Sequence, residues 1–322
     1  MRPIMLGIFS ALFFAVTFVV NRAMDLTGGS WIWSASLRYF FMVPFLLAIV
    51  IARKNLSFLI KVMKEQPKSW LLWSFVGFCL FYAPLCYAAA YSPGWLIAGT
   101  WQITIISGSL LAPLFWETIH TNSGPVKVRG RFPVKGMLMS SVILLGIILM
   151  QLEHARHIPA KVFLLGFLPV LIASFAYPLG NRKMMEITQG RLDAYQRVLG
   201  MTLASLPFWL LLSLYGLFTV GAPAKAQSLQ ALSVALSSGV VATVLFFMAT
   251  DMVRGNLQKL AAVEATQSVE VLFALAGEMI WLALPLPSPL SWTGMFIVIL
   301  GMAAHSYASR AKTKPASKAL NA

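Results

Sequence analysis

Residues 260–278 read LAAVEATQSVEVLFALAGE, from Leu260 to Glu278. About 20 residues of helix cross the hydrocarbon core of a bilayer, and this stretch is long enough to do so. It nevertheless holds Glu264 and Glu270 inside it and Glu278 at its far end. The chain owns 10 acidic residues in all, so two of them in one apolar span need a reason. A carboxylate at membrane depth costs at least about 2–3 kcal/mol unless it is protonated, hydrated or paired. An intramembrane acid is therefore a functional-site hypothesis, and the rest of the chain reads as a helical cage around it.

Composition supports that frame. Of 322 residues, 59% are hydrophobic and 11% charged, where soluble domains carry about 25% charged residues. Apolar runs of bilayer length recur along the chain, and no loop is long enough for a soluble domain. The expected fold class is an all-α integral membrane protein. The net charge of +15 does not point to nucleic acid, because the basic residues lie in short loops between apolar spans, where they set topology. Cys79 and Cys86, the only two cysteines, stand about 10 Å apart along one predicted helix. That is too far for a disulfide, and two thiols make no metal site; no metal and no cofactor are expected. The N-terminal apolar run ends in Asn21-Arg22 rather than a small-residue cleavage site, so it reads as an uncleaved first helix.

Ten spans are predicted, at about 4–23, 32–52, 70–90, 96–116, 136–152, 162–181, 197–216, 233–252, 258–281 and 292–309. Ser92-Pro93-Gly94 divides the third from the fourth, and the uncharged LPLPSPLS stretch, Leu284 to Ser291, forms a hairpin between the last two. With the N-terminus inside, 20 of the 25 Lys and Arg residues fall on the cytoplasmic side. The positive-inside rule then places both termini in the cytoplasm. The tail, 310–322, reads as a disordered basic end near anionic lipid.

The two halves echo each other at an offset of about 160 residues. Asn21-Arg22-Ala23-Met24 ends span 1 and Asn181-Arg182-Lys183-Met184 ends span 6. Arg38 opens span 2, which contains Pro44; Arg197 opens span 7, which contains Pro207. Span 4 closes at Glu117 and span 9 at Glu278, while spans 5 and 10 begin Gly136-Met137 and Gly294-Met295. Five spans per half is an odd number, so the halves, 1–155 and 156–309, enter the membrane with opposite topology, as two inverted five-helix repeats. Such symmetry gives two nearly isoenergetic conformations that expose one site to alternate sides.

These features resemble the drug/metabolite transporter (DMT) superfamily of EamA-like proteins: ten helices as 5+5, an Arg opening the second helix of each half (SASLRYFFMVPFLL, AYQRVLGMTLASLPFW), and a Glu closing the fourth (LLAPLFWE, LFALAGE). The opening NRAM…GGSWIWSASLRYFF is most similar to the multidrug resistance efflux branch. The resemblance implies a cavity formed by the first four helices of each half, peripheral spans 5 and 10, and export of small molecules. Relatives often carry a Pro early in the fourth helix of each half; here those regions read Thr100-Trp101-Gln102-Ile103-Thr104 and Val263-Glu264-Ala265-Thr266-Gln267. The small four-helix exporters use a Glu in their first helix, and span 1 has none.

At about 100° per residue, Glu264, Gln267 and Glu270 step around one broad face, with Glu278 about 40° from Glu264. Glu270 is nearest mid-span. It reads as a protonatable coupling site, with Glu264 as a second acid near Lys259: a cationic substrate and a proton would compete for one carboxylate, which couples their fluxes. The competing structural reading pairs each Glu with an Arg, such as Arg38 or Arg197. In span 4, Trp101 suits stacking on a flat cation, while Gln102 and Thr104 offer hydrogen bonds to substrate or between helices. Tyr82, Tyr87 and Tyr177 are weaker lining candidates. Asn21 and Asn181 lie at helix ends, as gate or fold elements, and Glu117 and Glu278 suit capping or structural pairing.

The function expected is a secondary transporter of drugs or organic cations, proton-coupled, working by alternating access in the plasma membrane of a bacterium. The alternative is an exporter of a specific metabolite such as an amino acid, with or without proton coupling. A more distant alternative is an intramembrane hydrolase built on Ser109 and His305, and another is an accessory membrane subunit. No Gly-x-x-x-x-Gly-Lys motif points to ATP-driven pumping. The expected partners are a small-molecule substrate, protons and the lipid bilayer; the oligomeric state is open, a homodimer included.

Overall fold

The computed structural model describes residues 2–310 apart from 122–123, 131, 133, 157–158 and 284–285. The tail from 311 to 322, and part of the Pro-rich stretch at 284–291, lie outside the described residues. The chain runs through α1 (Arg2–Leu26), α2 (Trp31–Ala52), α3 (Leu56–Glu65) and α4 (Pro67–Ala88). It continues through α5 (Gly94–Trp101), α6 (Ile103–Leu110), a hairpin of β1 (Trp116–Thr121) and β2 (Gly124–Arg129), and α7 (Val134–Arg156). The second half holds α8 (Ala160–Thr188), α9 (Ala194–Thr219), α10 (Lys225–Asp251), α11 (Leu257–Ala265), α12 (Glu270–Trp281) and α13 (Pro289–Arg310).

Local chemistry sets the starts and stops. The Ser30 side chain accepts from the Ile32 N–H to begin α2, and Asp193 with Gln196 forms a reciprocal capping box at α9. Pro67 stands at the first turn of α4, where its missing N–H costs nothing. α8 ends at Gln189 in the left-handed conformation, followed by Gly190 at φ 73°.

Among the described residues, seven helices are long and apolar enough to cross a membrane: α1, α2, α4, α8, α9, α10 and the α11–α12 rod from Lys259 to Trp281. Ser141–Leu152 in α7 and Pro289–Gly301 in α13 are shorter apolar helical stretches. The protein is thus a multi-pass helical membrane protein, as expected.

The structure corrects the sequence reading at three places. The span expected at 96–116 is α5 and α6, broken at Gln102, followed by a 3-10 turn, Ala112–Leu114. Pro113 cannot continue a helix, and the β-branched residues Thr118, Ile119, Thr121, Val126 and Val128 then favour strands. The antiparallel hairpin pairs Trp116 with Arg129, so the chain is not wholly α, and Glu117 lies on a strand rather than at a helix end. Second, α3 was unforeseen. It is too short to cross a bilayer and buries Leu59 and Val62 while Lys61 and Lys64 face outward. Third, the span expected at 258–281 is interrupted by a 3-10 turn, Thr266–Val269. Two π-helical segments, Phe75–Cys79 in α4 and Ala235–Ala242 in α10, were also not legible.

α1 and α8 are the two central helices. α1 packs on α5, α10, α11 and α12, and α8 packs on α4, α5 and α6. α7 and α13 pack chiefly on each other. Their backbones meet at Gly146 and Gly294, where a Cβ on Gly294 would lie 2.6 Å from the Gly146 carbonyl oxygen; small residues permit such contacts between membrane helices. In the core between α2, α4 and α9, Tyr39 stacks on Trp209 with ring centres 4.5 Å apart.

Candidate functional site

The 3-10 turn decides the site. It changes the angular step between Glu264 and Glu270, so the two acids do not share one smooth face. Glu264 ends α11 and Glu270 begins α12, and they meet different surroundings.

Glu270 is buried, 1% exposed, and neither carboxylate oxygen has a hydrogen-bond partner among the described residues. It stands in the first turn of α12, where the helix dipole favours a negative charge. With Gln267 it lines a central cavity between Phe14, Thr17 and Phe18 of α1, Arg38 of α2, Phe81 and Leu85 of α4, Trp101 of α5 and Tyr177 of α8. The cavity volume is about 10 Å³, room for about one water molecule. Arg38 is 2% exposed, forms no ion pair among the described residues, and has Nε and Nη1 unpartnered. Its guanidinium carbon sits 4.0 Å from the centre of the Tyr82 ring. The Tyr177 hydroxyl is also buried without a partner.

Glu264 is paired. Arg182 Nε donates to its Oε1 at 3.1 Å and Nη2 to its Oε2 at 2.7 Å, while Nη1 donates to the Gly108 carbonyl. The partner is thus Arg182 and neither Lys259, which is exposed, nor Arg38 nor Arg197. Arg197 pairs with Asp251 and lies 4.4 Å from the Phe247 ring centre. Glu278 accepts from the Gly94 N–H at 2.7 Å and the Trp95 N–H at 3.1 Å, capping α5 from a distant helix. Glu278→Ala leaves two buried donors unmet and is expected to cost about 1.5–3 kcal/mol. Thermal melts in detergent check this, with Glu278→Gln, which keeps an acceptor, losing less.

The other candidates divide. Trp101 lines the cavity, edge-on to Tyr177 at 5.6 Å. Gln267 lines it too, but its amide donates to the Gly7 carbonyl at 3.2 Å. Gln102 donates back to Ala98 O at 2.8 Å, and Thr104 donates to Ser174 O at 3.1 Å, tying α6 to α8; neither lines the cavity. Asn21 shares hydrogen bonds with Tyr82 at 3.4 Å, whereas Asn181 is buried with both side-chain polar atoms unpartnered. The side chains of Glu117 and His305 lie outside the described residues. Tyr177 is the tyrosine that reaches the cavity; Tyr87 lines a second cavity of about 500 Å³ with Trp31, Pro84, Phe208 and Trp209, in which no charged residue takes part.

Sequence reasoning missed Arg182 as a buried partner, because a basic residue after an apolar run reads as a loop charge. It missed Asp251 because an acid at the end of an apolar run likewise reads as a loop charge. Phe14, Phe18 and Phe81 carry no polar group, and the Thr17 hydroxyl bonds to Ser238, so neither signal separates cavity from packing.

Buried charges thus stand on bundled apolar helices around a small central cavity. The chain belongs to the EmrE family, described as "Putative multidrug resistance efflux transporter", whose family model matches residues 1–311. It is 57% identical over 319 residues to "Uncharacterized protein YjlA" of Bacillus subtilis (strain 168), covering 99% of this chain and 98% of that one. It is 47% identical over 270 residues to an "Uncharacterized 42.1 kDa protein in intracellular alkaline protease 3'region" of Shouchella clausii, covering 84% of this chain and 70% of that one. A solved structure, described only as "Crystal structure of protein", superposes with a TM-score of 0.68 at 12% identity, over 96% of this chain and 97% of the other. That likeness concerns the fold.

Proposed function

We propose that this protein is a secondary transporter that exports small organic molecules across a bacterial plasma membrane by alternating access, with Glu270 as the residue that exchanges substrate and proton. The observation that carries the reading is a buried carboxylate, both oxygens unpartnered among the described residues, on the wall of the central cavity. A buried charge without a partner is costly, and competition between a proton and a ligand for that carboxylate gives the cost a use. Glu264, held by Arg182, and Glu278, capping α5, already have partners, which supports structural roles for both.

The cavity, about 10 Å³, is smaller than an organic solute, so the proposed cycle needs the helices around it to move apart before a solute enters. The two π-helical segments, beginning at Phe75 and Ala235, keep the spacing of the sequence echoes, and the breaks at Gln102 and Thr266–Val269 are similarly spaced. This supports two repeats; with α5–α6, α7 and α13 counted as crossings, each half has five and the repeats are inverted. Arg38, Arg182 and Arg197 are buried within helices and so do not set topology; the remaining Lys and Arg residues still favour cytoplasmic termini.

The test is reconstitution in liposomes with a pH-sensitive dye inside. Organic cations and amino acids are added singly, and wild type is compared with Glu270→Gln. Substrate-driven proton flux lost in the variant is the expected result. Substrate transport without proton flux, equal in both proteins, would remove Glu270 from the mechanism.

A further inference from the structure

The larger cavity, about 500 Å³, lies on a different face of α4 from the charged centre. Phe81 and Leu85 line the central cavity, whereas Leu80, Ala83, Pro84 and Tyr87 line this one. At about 100° per residue the two sets point about 130° apart. Trp31 of α2, Ile172 of α8 and Phe208, Trp209 and Leu211 of α9 complete the walls. Cys79 and Trp209 are buried at its floor, while Leu80, Ile172 and Leu211 at its rim are 36%, 54% and 66% exposed. All four helices are long and apolar enough to cross a membrane, so the groove opens on hydrocarbon. A charged solute would lose its hydration there and meet no counter-charge.

The shape is that of an amphiphile. Along α4 the groove runs from Phe75 to Tyr87, about 18 Å of helix, close to the depth of one leaflet in a hydrocarbon core of about 30 Å. Its Phe75 end is closed and apolar: the Phe75 and Phe208 rings stand 4.5 Å apart, and the nearby Gly77 and Gly180 bring α4 and α8 into backbone contact. Its other end is polar. Trp31, the first residue of α2, stands edge-on to Tyr87 at 5.4 Å, and the Tyr87 and Tyr91 hydroxyls hydrogen-bond at 3.3 Å. Trp and Tyr favour the headgroup level of a bilayer.

We propose that this groove binds a phospholipid, with one acyl chain lying along α4, its terminal methyl near Phe75 and its ester beside the Tyr87–Tyr91 hydroxyls. The site is independent of what the central cavity carries.

The test uses liposomes that hold the full chain and a trace of phosphatidylglycerol bearing a photoactivatable diazirine. One probe has the diazirine near the acyl ester and another near the terminal methyl. After illumination, adducts are mapped by peptide mass spectrometry. Phe45 on α2 and Leu164 on α8, both exposed, report ordinary lipid contact. Adducts in the groove are expected at least about tenfold above those at Phe45 and Leu164, a preference of about 1.4 kcal/mol. They should move from Pro84 and Tyr87 with the ester probe to Cys79 and Phe208 with the terminal probe. Ala83→Trp and Leu212→Trp each place an indole in the groove. Either should lower the groove adducts by about tenfold, reversing that preference, and leave Phe45 and Leu164 labelled as before, which a misfolded protein would not do.

Equal labelling of groove and reference residues would mean bulk lipid contact only and would overturn the site. Groove adducts that survive both tryptophan variants would overturn it too. A groove shielded from both probes, with its residues cross-linked to a second copy of the chain, would replace the lipid by self-association.

Discussion

Replacing Arg182 by methionine is expected to lower stability by about 3–5 kcal/mol, the penalty for removing one partner of a buried ion pair. Arg182 and Glu264 are both 3% exposed. The guanidinium holds both carboxylate oxygens and the Gly108 carbonyl, so α8, α11 and α6 meet on one side chain. Without it Glu264 has no counter-ion and the carbonyl no donor. The double variant Arg182→Met, Glu264→Met removes both charges and should recover most of the loss, since an apolar pair of similar volume is often no less stable than the ion pair. Denaturant unfolding in detergent of both singles and the double makes the cycle. A single Arg182→Met protein as stable as wild type would mean that the pair does not hold these helices together.

Gly180→Ala should cost about 1–3 kcal/mol, although it adds a single methyl group. A Cβ on Gly180 would overlap the Gly77 Cα and lie 2.5 Å from the Gly77 nitrogen and 3.1 Å from the Trp73 carbonyl oxygen. All three are backbone atoms of α4, so α4 and α8 have to move apart. The reciprocal change, Gly77→Ala, meets the Met201 methyl at 3.0 Å and the Gly180 Cα at 3.2 Å. A methionine methyl can swing aside, and the expected loss is smaller. Melting temperatures of the two variants, compared side by side, give the order; Gly77→Ala melting below Gly180→Ala would contradict this account.

What was legible in the sequence follows from which signals are local. Long apolar runs of bilayer length located α1, α2, α4, α8, α9, α10 and the α11–α12 rod, because hydropathy needs no partner. Glu270 could be singled out for the same reason: an acid in an apolar run is anomalous wherever it folds. The partner of Glu264 could not be read, since Arg182 lies in another helix and looked like a topological charge. The breaks at Gln102 and Thr266–Val269 left no Gly or Pro at the break itself, and a uniform helical period therefore put Glu264 and Glu270 on one face. The hairpin was hidden by counting Phe115 and Trp116 into an apolar run that Pro113 had already ended.

The Glu278 carboxylate that caps α5 comes from 184 residues further along the chain. On the ribosome the start of α5 is made first, and at about 5–20 residues per second its capping group follows on the order of 10–40 s later. Through that interval the Gly94 and Trp95 N–H groups must be met by water, by headgroups or by the insertion machinery. The α5 segment is thus a late-setting joint: its first turn is satisfied by protein only when the last part of the chain delivers its acid.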